Sequence, residues 1–143
     1  MAEAPASASS TASDVPVMDI HRRVLIADDN SDAATSLAML LRFEGHEVKV
    51  VNNGRQALAA VAEEAPEFVL LDIGMPDIDG YEVARRLRQL TLPSKLTLIA
   101  VTGWGQESDK ARAMAAGFDH HFTKPIEPDD LFALLRGTNR KAK

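Results

Sequence analysis

From Arg23 onward, short β-branched or aliphatic runs alternate with stretches of helical period. The expected strands are residues 24–27, 47–51, 68–71, 97–101 and 119–122. Between the first two, Ala33, Leu37, Leu40 and Leu41 recur at helical spacing, and Gly45 follows where a left-handed stop is wanted. Ala57, Leu58 and Val61 mark a second helix stopped by Pro66, and Tyr81, Ala84 and Leu87 a third ending before Pro93. Ala111, Met114 and Ala115 mark a fourth with Gly117 beyond its end; Pro128 opens a fifth that holds Leu131, Leu134 and Leu135. Parallel strands need crossovers that cover the sheet, so this alternation predicts an α/β domain with helices on both faces of a parallel sheet. The runs "VLIA" and "FVLL" have no polar interruption, as expected of central strands buried on both sides.

The 143 residues have room for one domain with a proper core. A net charge of -5 argues against nucleic acid or an anionic membrane as the main target. The absence of cysteine excludes a disulfide framework and any thiolate metal site. No apolar run reaches membrane-spanning length and no signal peptide opens the chain, so a cytoplasmic location is expected. Residues 1–21 are rich in Ala, Ser, Thr and Pro without an aromatic, and read as a flexible N-terminal tail. The domain is expected over 22–137, followed by a polar C-terminal tail at 138–143 that leaves no room for an output domain.

In a sheet of this kind ligands bind beyond the carboxyl ends of the strands. Asp28 and Asp29 follow the first strand, Asp72 the third, Thr102 the fourth, and Lys124-Pro125 the fifth. Each has a plain structural explanation. Asp28 or Asp29 could cap the helix that begins near Asp32, and Asp72 could serve the turn in "DIGMPDIDG". Convergence at four strand ends is harder to explain that way. Carboxylates gathered against their mutual repulsion suggest a hard divalent cation with oxygen ligands.

The pieces "VLIADDN", "FVLLDIGMPDIDG", "LIAVTG" and "FTKP" make residues 22–137 resemble the receiver domain of two-component response regulators. The pieces "VTGWGQ" and "AGFDHHFTKPIEP" look most like receivers at the C-termini of hybrid sensor kinases. The resemblance implies a flavodoxin-like, doubly wound sheet of five parallel strands in the order 2-1-3-4-5. It implies that Asp72 accepts a phosphoryl group from a phosphohistidine on a histidine kinase or histidine phosphotransfer protein. Mg2+ (or Mn2+) would be held by Asp29, Asp72 and the backbone carbonyl of Gly74, with Asp28 acting through bound water. Lys124 would supply positive charge, Thr102 a hydroxyl hydrogen bond, and Pro125 a cis peptide bond that aims Lys124 inward. The family's switch aromatic stands three residues before the Lys; here that position is His121. Trp104, two residues past Thr102, is a candidate lid over the phosphoryl site.

Two other functions compete. An aspartate-nucleophile phosphatase would need a second Asp where Gly74 stands, and a cap domain the length does not hold. A docking module that works without phosphorylation would have no need of the whole set of phosphorylation residues. The expected chain is therefore a signalling domain and not an enzyme, apart from self-directed phosphotransfer and autodephosphorylation. Homodimer formation through the face of the last two helices and strand five stays open. Adjacent His120 and His121 point to opposite faces of a strand and make no metal pair; His21 and His46 are expected in surface or packing roles.

Overall fold

The computed structural model describes residues 21–76, 78–92, 95–103 and 107–137. Residues 1–20 of the expected N-terminal tail 1–21, the expected C-terminal tail 138–143 and the candidate lid Trp104 lie outside the described residues. The strands are β1 (Arg23–Ala27), β2 (Glu47–Val51), β3 (Phe68–Asp72), β4 (Thr97–Thr102) and β5 (His120–Thr123). The helices are α1 (Ser31–Phe43), α2 (Gly54–Glu63), α3 (Gly80–Arg88), α4 (Glu107–Ala116) and α5 (Pro128–Arg136). All strand pairs are parallel, in the order β2-β1-β3-β4-β5, which is the expected 2-1-3-4-5.

Alternation along the central strands divides their side chains between two cores. Leu25, Val69, Leu71 and Leu98 face α2, α3 and α4, where Val61, Val83, Leu87 and Ala113 meet them. Val24, Ile26, Leu70 and Ile99 face α1 and α5, against Ala38, Leu41, Leu131 and Leu135. Because β1, β3 and β4 are apolar on both faces, they occupy the middle of the sheet, and the more polar β2 and β5 take its edges.

Two of the expected helical stripes are turned. On α1 the buried residues are Ala34, Ala38 and Leu41, while Ala33 and Leu40 are exposed. On α4 the buried residues are Ala113 and Ala116; Ala111, Met114 and Ala115, the expected inner stripe, face outward. Both helices are apolar on more than one side, so periodicity does not single out a face. The face that meets the sheet is set by how each helix is rotated in packing, which a pattern along the chain does not specify. On α3 and α5 the expected residues Tyr81, Ala84, Leu87, Leu131, Leu134 and Leu135 are all buried.

The ends follow local chemistry. Asn30, Asn53 and Asp79 cap α1, α2 and α3, each side chain accepting the backbone N–H three residues on. Asn30 thus takes the capping role considered for Asp28 or Asp29 and leaves both acids to other partners. Gly45 and Gly117 stand at φ 99° and 111°, the left-handed geometry expected of them at helix ends. β5 begins one residue later than expected. The Asp119 carboxylate instead accepts from Leu98 N (2.9 Å) and Arg88 Nη2 (2.6 Å), pinning the approach to the strand.

His46 is the packing histidine among the four. It is 6% exposed, and its Nδ1 accepts the Arg22 N–H at 2.9 Å. Burial holds its pKa below the usual 6.5, with Arg22 and His21 acting in the same sense and Glu44 opposing them. The folded chain therefore binds this proton less readily than the unfolded chain. Stability from this group is complete above 6.5 and lost as pH falls through the lower folded value. Chemical unfolding at pH 7 and pH 5 should show a smaller drop for His46→Asn than for the unsubstituted protein, because Asn keeps the acceptor for Arg22 without taking a proton.

Candidate functional site

Sheet register sets the site. Ala27 pairs with Val51 and Leu71, Asp72 with Val101, and Thr102 with Thr123. The strands therefore run out within a residue or so of one another, and the residues just past their ends are gathered along one edge. β3 ends on Asp72 itself and β4 on Thr102, one residue beyond expectation in each case. The Asp28 N–H extends the ladder to Val51 O (3.1 Å), which holds the first acid of the pair in line with the sheet.

Burial differs among the acids. Asp28, Asp72 and Thr102 are buried, whereas Asp29 is exposed. One carboxylate oxygen from each of Asp28, Asp29 and Asp72 lies within 4.8 Å of the others. Lys124 Nζ stands 3.3 Å from Asp72 Oδ2 and 3.8 Å from Asp28 Oδ2, so one ammonium faces two acids. The remaining oxygens are oriented by backbone. Asp28 Oδ1 accepts from Asn30 N (2.9 Å), and Asp72 Oδ1 accepts from Gly74 N (3.0 Å). Asp72 thus serves the turn as well as the cluster. Lys124 is placed by its own N–H, which donates to Thr102 O at 2.7 Å, and its bond to Pro125 is cis as expected.

Burial pushes the Asp28 carboxyl above its ordinary 3.8, and the Asp72 carboxyl beside it adds to the rise; the Asn30 N–H and Lys124 oppose it. One lysine does not fully offset three acids. An oxygen-only donor set with excess negative charge is what a hard divalent cation requires, so these residues fit such an ion.

The structure brings Asp28, Asp29, Asp72, Thr102 and Lys124 to one edge of the sheet, with Gly74 at hydrogen-bond distance from Asp72. His121 pairs with Ala100 on β4, which belongs to the core under α2–α4. Its Nε2 is buried and has no hydrogen-bond partner among the described residues. A polar atom left this way costs about 1–3 kcal/mol. Asn52 is a residue the sequence analysis did not single out. Its Nδ2 lies 3.3 Å from Asp28 O and 3.4 Å from Ser31 Oγ, tying the end of β2 to the acid pair. Its place directly after the second strand was the one available signal.

The acid cluster has a consequence for metal-free protein. Because Asp28 holds its proton more tightly when folded, its contribution favours folding at low pH and is lost as pH rises from 3.8 through the folded value. Asp28→Asn keeps an acceptor for Asn30 and removes a charge, so the metal-free variant should gain on the order of 1 kcal/mol at pH 7. Urea unfolding in the presence of a chelator measures it, and a loss of stability would contradict this account of the cluster.

The model of the response regulator receiver domain family matches residues 24–136. An uncharacterized 14.6 kDa protein of Leptolyngbya boryana is 34% identical over 113 residues, covering 79% of this chain and 86% of its own. The phosphate regulon transcriptional regulatory protein PhoB of Pseudomonas aeruginosa is 32% identical over 122 residues, or 85% of this chain and 53% of that protein. This chain thus spans about half the length of such transcriptional relatives. The solved CheY-like receiver domain protein of Methanospirillum hungatei superposes with a TM-score of 0.73 at 29% identity, covering 84% of this chain and 98% of that one. The family model and the Methanospirillum hungatei protein are both of response regulator receivers, and the likeness to hybrid-kinase receivers rests on the quoted sequence pieces alone. With the matching fold and an acid cluster at the family's strand ends, the chain belongs to the response regulator receiver domain family of two-component signalling.

Proposed function

We propose that residues 22–137 act as a phosphoryl-accepting receiver and that Asp72 is the acceptor. One observation carries the assignment: of the two buried acids that face Lys124, Asp72 is the nearer, at 3.3 Å against 3.8 Å for Asp28, and it alone is a residue of a central strand. The donor is a phosphohistidine on a histidine kinase or histidine phosphotransfer protein. An ionised Asp is already the nucleophile, so the reaction needs charge neutralisation and positioning more than it needs a base. The Asp72 oxygen forms the bond to phosphorus as the bond from phosphorus to the imidazole nitrogen breaks. Asp29, Asp72 and the Gly74 carbonyl, with Asp28 acting through water, would hold Mg2+ (or Mn2+), which would supply charge neutralisation for the transfer. Lys124 adds positive charge beside Asp72. Gly74 N, donating to Asp72 Oδ1, orients the acceptor before the donor arrives.

Thr102 ends β4 at the same edge, and its hydroxyl donates to the phosphoryl oxygens once they are present. The loop beyond Thr102 follows that hydroxyl, which opens room for a side chain of β5. His121 takes the place of the family's aromatic there, and its buried Nε2, which has no hydrogen-bond partner among the described residues, favours a move to a position where one is available. Signalling runs through this change to a protein partner, in the cytoplasm; no helix among the described residues is long and apolar enough to cross a membrane. Pairing of two copies is a further proposed mode, as is slow autodephosphorylation. A phosphatase of the haloacid dehalogenase type is disfavoured by Gly74, which has no side chain to act as the second acid.

Asp72→Asn should keep the fold and lose hydroxylamine-labile labelling from a small phosphodonor such as acetyl phosphate. Labelling that persists undiminished in this variant would place the acceptor elsewhere. Asp29→Ala should weaken Mg2+ binding more than Asp28→Ala, by about tenfold or more against the unsubstituted protein, since the exposed acid is proposed to touch the ion directly. Calorimetric titration with Mg2+ gives the affinities, and unchanged binding by Asp29→Ala would remove that residue from the ligand set.

A further inference from the structure

The segment Asp28–Ser31 joins β1 to α1 and carries two of the three clustered acids. Its polar side chains have local partners. Asp28 Oδ1 accepts from Asn30 N at 2.9 Å, and Asn30 Oδ1 accepts from Ala33 N at 3.1 Å. Asp29 differs: it is exposed, and among the described residues no hydrogen bond or ion pair holds its carboxylate. Its direction is therefore set through its backbone. The peptide that enters Asp29 begins with the Asp28 carbonyl, and that oxygen accepts from Asn52 Nδ2 at 3.3 Å. The same amide nitrogen lies 3.4 Å from Ser31 Oγ, so one side chain from beyond β2 ties the segment on both sides of Asp29. Asn52 is anchored in turn, because its own N–H donates to Gln56 Oε1 on α2 at 2.8 Å. Both acceptors of the amide are neutral oxygens. The contact thus governs where Asp29 stands and leaves the charge of the cluster unchanged.

We propose that Asn52 is a positioning residue for the cation site, holding the Asp28–Asp29 peptide so that the exposed Asp29 carboxylate stays with Asp72. The inference rests on the reading of Asp29 as a cation ligand. Groups that orient a ligand from behind contribute about tenfold to a hundredfold in metal affinity. Distances of 3.3 and 3.4 Å lie beyond the usual range for N–H to O bonds, which places Asn52 at the lower end. The two hard cations respond differently to a loosened ligand. Mg2+ demands near-regular octahedral oxygens, whereas Ca2+ accepts irregular sets at longer distances. Loss of Asn52 therefore acts on Mg2+ more than on Ca2+.

The test titrates the full chain with Mg2+ and separately with Ca2+, for the unsubstituted protein, Asn52→Ala, Asp29→Ala and the double variant. Asn52 and Ser31 are both exposed, so Asn52→Ala should keep its unfolding midpoint in the presence of a chelator. Its Mg2+ affinity should fall by about tenfold, with a smaller loss for Ca2+. In the Asp29→Ala background the same substitution should cost almost nothing more, because the group it positions is gone. Unchanged Mg2+ affinity in Asn52→Ala, while Asp29→Ala binds weakly, overturns the role of Asn52 and leaves the cation site in place. An equal loss for both ions, or a full further loss in the Asp29→Ala background, overturns it too, since Asn52 would then act by a route other than placing Asp29. Failure of the unsubstituted protein to bind Mg2+, or an Asp29→Ala variant that binds it normally, overturns both this inference and the ligand set on which it rests.

Discussion

Three carboxylates held within 4.8 Å of one another under a single ammonium are the constraint on which the rest depends. Left to themselves such groups separate, since like charges at this range repel by amounts comparable to a sizeable part of a domain's stability. They stay together because their backbones are fixed by sheet register. Asp28 continues a ladder through Val51 O, and Asp72 is itself a strand residue paired with Val101. Relief by rotation is limited as well, because Asn30 N and Gly74 N each hold one carboxylate oxygen. Burial, together with the Asp72 carboxyl beside it, raises the affinity of Asp28 for its proton, and the excess of negative charge fits the cluster for a hard divalent cation.

The two cores supply the rigidity the cluster needs. Each central strand is clamped by apolar contacts on both faces, so movement of Asp72 or Asp28 would disturb packing above and below the sheet. Close approach reinforces this at α3. A Cβ added to Gly80 would meet the Ile73 Cα at 2.8 Å, and the Gly80 N–H donates to Ile73 O at 3.1 Å, so the turn after Asp72 is pressed against the start of that helix. The edge strand β5 is built differently, with a half-buried histidine pair in place of continuous aliphatic residues. Buried acids at the ends of central strands thus sit beside an edge strand that is only half-buried and more polar.

Much of this was legible in the residues. The alternation of "VLIA" and "FVLL" with helix-period segments specifies a parallel sheet, because only crossovers that cover both faces can bury strands apolar on both sides. Positions directly after such strands must then lie at one edge, which is why Asp28, Asp29, Asp72, Thr102 and Lys124 could be assembled without coordinates. The stops at Gly45 and Gly117 were equally local, since a left-handed residue after a helix favours glycine whatever surrounds it.

Tertiary structure decided what periodicity leaves degenerate. Helices α1 and α4 carry apolar residues on adjacent stripes, and the rotation of each helix on the sheet buries Ala34, Ala38 and Leu41 on one and Ala113 and Ala116 on the other, while Ala33, Leu40, Ala111, Met114 and Ala115 stay out. It also decided the hydrogen bonds. Asn30 rather than an aspartate caps α1, Asn52 reaches back to the Asp28 carbonyl, and Nε2 of His121 is left without a described partner. The sequence by itself determined which groups meet, because strand order and chain direction follow from patterns along the chain. Their distances, burial and protonation depend on the packing of segments far apart in the chain, which only the folded molecule brings together.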